Sequence, residues 1–235
     1  MKNAIKSLFL LFVCTLFTFS LKAQENKNIG ITNFNAVSVT NGIDLYLTQS
    51  TSENIKLSGH PDLIKDVVVS KEGNTLKIRH KNNGGLGKIF KGTTVKIYVN
   101  YKTLESIDAS GGSDVYAQNT IKTEKLSIHS SGGSDLKLDV ITRDIKIQIS
   151  GGSDLDLKGS ASNMELSSSG GSDVKAYNFI VEYAKVNASG GSDASIHVTK
   201  GLEASATGGS DINYKGNAAL KKTSSSKSGD IKKID

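Results

Sequence analysis

Apolar residues recur at every second position through most of this chain, and the alternation keeps phase with one repeated tetrad, Gly-Gly-Ser-Asp. Counting back from the first glycine of each tetrad, position −4 holds Ile107, Ile128, Ile147, Leu166, Val186 and Ala204, and position −2 holds Ala109, Ser130, Ile149, Ser168, Ala188 and Ala206. Counting forward, position +4 holds Val115, Leu136, Leu155, Val174, Ala194 and Ile212, and position +6 holds Ala117, Leu138, Leu157, Ala176, Ile196 and Tyr214. Polar residues such as Lys137, Asp156, Lys175 and Asn213 stand between them. A period of two puts alternate side chains on one face of a strand, so each repeat predicts two short strands flanking the tetrad.

The tetrads begin at Gly111, Gly132, Gly151, Gly170, Gly190 and Gly208, in steps of 21, 19, 19, 20 and 18. A degenerate copy, Ser228-Gly229-Asp230, puts its aspartate 230 − 211 = 19 residues after Asp211. Such a period is one coil of a solenoid. A single coil cannot bury its apolar face, whereas parallel stacking pairs its backbone groups with the coils on either side. The predicted fold is therefore all-β: a right-handed parallel β-helix, or β-solenoid, with coils of about 19 residues. The small residues at −2 predict a narrow interior.

Residues 104–235 carry this solenoid, and an N-terminal β-rich segment, residues 24–103, precedes it. Val37 and Val39, then Ile43, Leu45 and Leu47, then Ile55 and Leu57 alternate as strands, as do Val95, Ile97 and Val99. Val67 and Val69 face Leu76 and Ile78 across Glu72-Gly73-Asn74, a hairpin turn. Pro61 can open a short helix through Lys65. The Asn82 to Lys88 stretch superficially suggests a phosphate loop, but Asn82 replaces the first glycine and Ile89 stands where a hydroxyl must hold Mg²⁺, so it reads as a surface loop.

The tetrad has a mechanical reading. The pairs Gly111–Gly112, Gly132–Gly133, Gly151–Gly152, Gly170–Gly171, Gly190–Gly191 and Gly208–Gly209 allow positive φ at a sharp corner. The hydroxyls before them, from Ser110 to Thr207, predict a ladder along one outer edge. The difficulty is the aspartates, Asp114, Asp135, Asp154, Asp173, Asp193 and Asp211. Stacked about 4.8 Å apart, adjacent carboxylates repel by about 0.9 kcal/mol at the dielectric of water and about 3.5 kcal/mol at an effective value near 20. Splaying into solvent, accepting backbone N–H bonds or binding cations would relieve this. Turn residues of this kind usually serve the backbone. A calcium ladder on those six aspartates is the alternative, although calcium takes six to eight oxygens and its known glycine-rich nonapeptide repeat has a different period.

Composition narrows the functional classes. Lys2 and Lys6 followed by an apolar run from Leu8 to about Leu21, closed by Lys22-Ala23, read as a secretory signal peptide over residues 1–23. The lone Cys14 lies inside that run, so the mature chain has no disulfide. Removing three lysines leaves 29 − 3 = 26 basic against 23 acidic residues, or +3, with no basic stripe to meet nucleic acid. Lys215, Lys221, Lys222, Lys227, Lys232 and Lys233 gather near the end as a solvated tail or cap. His60, His80, His129 and His197 share no repeat position, Arg79 and Arg143 are the only arginines, and no nucleophile elbow or metal-spaced histidine pair appears. The reading is non-catalytic, without catalytic residues or a cofactor other than calcium, and a polysaccharide-processing enzyme is the remote alternative. No apolar segment after the signal suits a membrane span, and no translocator barrel is read after Tyr214. Tyr116, Tyr177 and Tyr183 can offer stacking surface to glycans.

The Asn41-Gly42-Ile43-Asp44-Leu45-Tyr46-Leu47 segment, Asn74-Thr75-Leu76-Lys77-Ile78, Leu104-Glu105-Ser106-Ile107, the serial Ser-Gly-Gly-Ser-Asp corners and the Ile231-Lys232-Lys233-Ile234 end together resemble the bacterial head GIN domain family. The name-giving Gly-Ile-Asn reads Gly42-Ile43-Asp44 here. The resemblance implies an exported β-helical protein of the periplasm, outer-membrane surface or exterior, of the adhesin kind, with Asn41 to Asp44 at an early turn. Surface glycans or other cell-envelope components are the partners it implies.

Overall fold

The computed structural model describes residues 25–81, 95–224 and 228–234. The signal-peptide reading over 1–23, the Asn82 to Lys88 loop and Lys227 lie outside them. The described strands join one seventeen-stranded sheet that coils on itself as a β-solenoid of about seven turns, about 19 residues apart.

Two arms of the sheet begin in the N-terminal segment. On one, β1 (Glu25–Ile29), β4 (Asn54–Gly59) and β7 (Lys96–Tyr101) run antiparallel, and β7 then pairs in parallel with β3 (Asp44–Gln49), which pairs with β9 (Asp114–Ala117). On the other, the hairpin of β5 (Val67–Glu72) and β6 (Thr75–His80) leads in parallel to β2 (Ala36–Thr40) and β8 (Ser106–Ser110). The hairpin turn needs Gly73 at φ 57°. The helix α1 (Pro61–Ile64) starts at Pro61, with His60 Nδ1 accepting the Asp62 N–H at 3.3 Å. The N-terminal segment thus contributes the antiparallel pairs, yet it feeds the same stack as the repeats.

In the repeats the chain runs differently from the two short strands per coil that the alternation predicts. β10 (Ile121–Ser131), β11 (Asp135–Ile149), β12 (Asp154–Ser169), β13 (Asp173–Ser189) and β14 (Asp193–Ala206) are long strands, and β11 to β14 each run unbroken from one tetrad to the next. Each coil has a third side that the sequence reading missed. Buried positions step by two along a side, but by three from Thr142 to Ile145, Ala161 to Met164, Ala176 to Phe179 and Val181 to Ala184. Two successive outward residues at these points mean that the strand bends there while its ladder of hydrogen bonds continues. The third side contributes Val140, Phe179 and Val181 to the core. Gly159, at φ 111°, allows Val140 O to approach so closely that a Cβ would lie 2.0 Å from it.

Every predicted inward residue at −4, −2, +4 and +6 is buried except Ala117, which packs against the core from its edge. At the far end β15 (Asp211–Lys215) pairs with β14 and carries β17 (Asp230–Lys233), while β16 (Ala219–Lys222) covers the second half of β14. The exposed Lys221, Lys222, Lys232 and Lys233 lie on these last strands, where charge discourages edge-to-edge pairing.

Candidate functional site

The glycine corners are the first candidate, and their local physics is uniform. All twelve tetrad glycines have φ between 64° and 76°. The two positions of each pair do different work. A Cβ on the second glycine would meet nothing within 4 Å, whereas one on the first, from Gly132 to Gly208, would lie 3.0–3.3 Å from the amide nitrogen of the neighbouring coil's glycine. The second glycine serves the turn, and the first serves both the turn and the close stacking of corners.

The tetrad serines are wholly buried, so the innermost hydroxyl ladder runs through Ser113, Ser134, Ser153, Ser172, Ser192 and Ser210. Early in the stack these hydroxyls accept from the adjacent coil. Ser113 Oγ takes the Ile43 N–H at 3.3 Å, Ser134 Oγ the Ser113 N–H at 3.1 Å, and Ser153 Oγ the Ser134 N–H at 3.1 Å. Later in the stack Ser172, Ser192 and Ser210 donate to the carbonyls of Ser169, Ser189 and Thr207 in their own turns, at 2.9, 3.0 and 2.8 Å. A buried polar group needs such a partner, and the corner supplies it without a ligand.

The predicted aspartates stack in register and gain two further members. Asp44 pairs with Asp114, and Asp135, Asp154, Asp173, Asp193, Asp211 and Asp230 follow coil by coil. Their side chains range from half-buried to exposed. The Asp135 N–H donates to Asp114 Oδ1 at 3.3 Å. Burial, then the neighbouring Asp114 and Asp154 carboxylates, hold Asp135 above the ordinary aspartate range, with Lys137 opposing them. Elsewhere the fold alternates charge where it stacks charge: Lys146 meets Glu165 at 3.6 Å, and Glu203 sits between Lys185 at 3.7 Å and Lys221 at 3.2 Å. Among the described residues no group of three or more His, Cys, Asp or Glu side chains is placed to hold a metal ion.

Gly42, Ile43 and Asp44 form the corner that precedes the first tetrad. The pairing of Thr40 with Ser110 and of Asp44 with Asp114 sets Asn41-Gly42-Ile43-Asp44 beside Gly111-Gly112-Ser113-Asp114. Asn41 at φ 70° and Gly42 at φ 71° reproduce the paired positive φ, and Ile43 fills the buried serine position. Asn is the non-glycine residue best suited to this conformation.

Beside this corner the structure assembles a row that sequence reasoning saw only at Tyr116. The Tyr46 ring stacks on Tyr98 at 5.0 Å and on Tyr116 at 5.1 Å, with interplanar angles of 21° and 20°. Lys96 Nζ lies 5.8 Å from the Tyr46 ring centre. Tyr116 donates its hydroxyl to Asp114 Oδ2 at 3.3 Å, and burial followed by the Asp114 charge pushes its phenol up to about 12. Asp44-Leu45-Tyr46 and Asp114-Val115-Tyr116 share a spacing that could have revealed the pair. Tyr177 and Tyr183 stand apart, near Lys215 at 4.8 Å and Lys200 at 5.7 Å.

A family model described as putative auto-transporter adhesin, head GIN domain, matches residues 33–218. The chain belongs to the head GIN domain family. A crystal structure of a putative adhesin from Bacteroides fragilis matches at 25% identity with TM-score 0.82, covering 91% of this chain and 98% of that one. At the level of fold, a putative lipid binding protein from Parabacteroides distasonis (19% identity, TM-score 0.73, covering 92% of this chain and 98% of that one) and a putative adhesin from Parabacteroides merdae (21%, 0.73, 92% and 98%) agree. Nothing among the curated proteins matches.

In this head GIN domain the histidines do not converge. His60 caps α1, His129 lies exposed on β10, and His197 lies on β14, beside Lys215 of β15. Arg143 is engaged by Asp144 at 3.0 Å and Glu124 at 3.6 Å. No described helix is long and apolar enough to cross a membrane.

Proposed function

We propose that this head GIN domain is an exported, non-catalytic binding module of the adhesin kind, which meets surface glycans or other cell-envelope components through the outer faces of its solenoid. The observation that carries the reading is the Tyr98–Tyr46–Tyr116 row. Three rings from the adjacent strands β7, β3 and β9 are held in register on the outside of the stack, with Asp44 and Asp114 alongside. Tyrosine offers an apolar body and a polar tip, a combination suited to a wet contact surface. A rigid face also lets weak contacts add through multivalency. Support comes from the putative adhesin of Bacteroides fragilis and from the signal-like residues 1–23.

The test is binding of the purified protein to a glycan array and to isolated bacterial and host envelope material, with Tyr46→Ala in parallel. Saturable binding that Tyr46→Ala weakens supports the proposal. Absence of binding to both kinds of probe removes the adhesin reading.

A further inference from the structure

A trench runs along the bend between the third side of the coil and the face that carries β8. Its floor is the in-register row Leu126, Ile145, Met164, Ala184 and Leu202. Two open recesses of about 480 and 420 Å³ lie end to end along this floor and share Asn163 and Met164 where they meet. Four inter-coil steps make it about 19 Å long. One wall is the alternating series of Lys146, Glu165, Lys185, Glu203 and Lys221, whose charges are mutually paired. The other carries Asp144, Asn163 and Tyr183, with Asn163 Nδ2 donating to Asp144 Oδ1 at 2.8 Å.

Tyr183 is the unusual element. It is 52% exposed, the highest value among the exposed large hydrophobic side chains described. It pairs in register with Gly201, and a Cβ there would lie 3.1 Å from its ring Cδ1, so the ring leans across a bare glycine into the trench. Lys200, anchored on Glu182 at 2.7 Å, borders it.

We propose that this trench binds a linear, uncharged oligosaccharide, with the Tyr183 ring receiving a sugar face and Asn163 and Glu203 bonding sugar hydroxyls. The assignment rests on the adhesin reading above and adds a second contact place, separate from the tyrosine row, with its own ligand class. The balanced wall charges fit an uncharged chain. A straight, open channel fits a linear polymer better than a compact solute, which would leave most of its length unused. An acyl chain fits poorly, because the floor residues are only 1–6% exposed and offer little apolar area.

Wild type, Tyr183→Ala, Asn163→Ala and Lys71→Ala, an exposed β5 residue away from both the trench and the tyrosine row, would be titrated against linear gluco-, manno-, xylo- and N-acetylglucosamine oligosaccharides, and in parallel against phosphatidylcholine vesicles and isolated envelope material. Far-UV circular dichroism would check that each variant is folded. The expected result is saturable sugar binding by wild type and Lys71→Ala, weakened about tenfold by Tyr183→Ala and measurably by Asn163→Ala. Sugar binding unchanged in both trench variants overturns the site while leaving the adhesin reading intact. Vesicle binding without sugar binding overturns the ligand class. Binding of envelope material but of none of these sugars also overturns the ligand class, whereas no binding to any of these probes overturns both readings.

Discussion

The amide of Ile43 donates to Ser113 Oγ at 3.3 Å across 70 residues of sequence. That bond splices the family motif onto the repeat array and starts the buried serine column. Ser134 continues it by accepting the Ser113 N–H. Replacing Ser134 by Ala leaves that buried donor without its partner, at an expected cost of about 1–3 kcal/mol in chemical denaturation. A change near zero would mean that the hydroxyl column does not support the corner.

The two glycines of a corner should differ in tolerance. Gly152→Ala meets only the left-handed backbone penalty, about 1–2 kcal/mol. Gly151→Ala adds a Cβ 3.0 Å from the Gly132 nitrogen and should cost more. Equal losses of stability in urea unfolding would count against close corner stacking.

Tyr101 is fully buried, and its hydroxyl has no hydrogen-bond partner among the described residues; burial holds the phenol far above its ordinary value. Tyr101→Phe removes an unsatisfied polar atom and keeps the ring. Stability should hold or rise, by up to about 1–2 kcal/mol, because the desolvation penalty disappears. A clear fall in melting temperature would show that the hydroxyl is bonded in solution.

Two carboxylates should respond to pH with opposite signs. Burial and its aspartate neighbours raise Asp135, so its ionisation costs stability above the raised value, and that cost is relieved as pH falls through it towards the ordinary range. Asp135→Asn should therefore stabilise at neutral pH, by less than about 1 kcal/mol at so exposed a site. Asp144 is lowered, first by the Asn163 amide and then by Arg143, so its contribution is present above the ordinary aspartate value and lost as pH falls through the lowered one. Asp144→Asn should destabilise at neutral pH and flatten the acid limb of the stability profile. Stability curves of the two variants that shift in the same direction would contradict this assignment.

Calcium should leave the melting temperature unchanged at millimolar concentration. The aspartate column supplies one outward carboxylate per coil, and among the described residues no three acidic or histidine side chains converge, whereas calcium takes six to eight oxygens. A saturable rise in melting temperature, lost in Asp154→Asn, would restore the calcium ladder.

The corners, the inward positions and the aspartate register followed from sequence alone, because a period-two pattern phased to a repeat of about 19 residues fixes which side chains face in and which coils align. Other features needed coordinates. The third side is hidden because the bends at Thr142–Ile145 and Val181–Ala184 break the alternation, and coils of unequal length shift its register from one repeat to the next. The inward serines could not be separated from the outer ones by polarity, since both are hydroxyls in a turn and only packing decides which is enclosed. The tyrosine row joins residues from β3, β7 and β9, and the trench joins residues from several successive coils. Local pattern sets the direction of a side chain along its own strand, but a surface shared by strands far apart in sequence exists only once their stacking order is set.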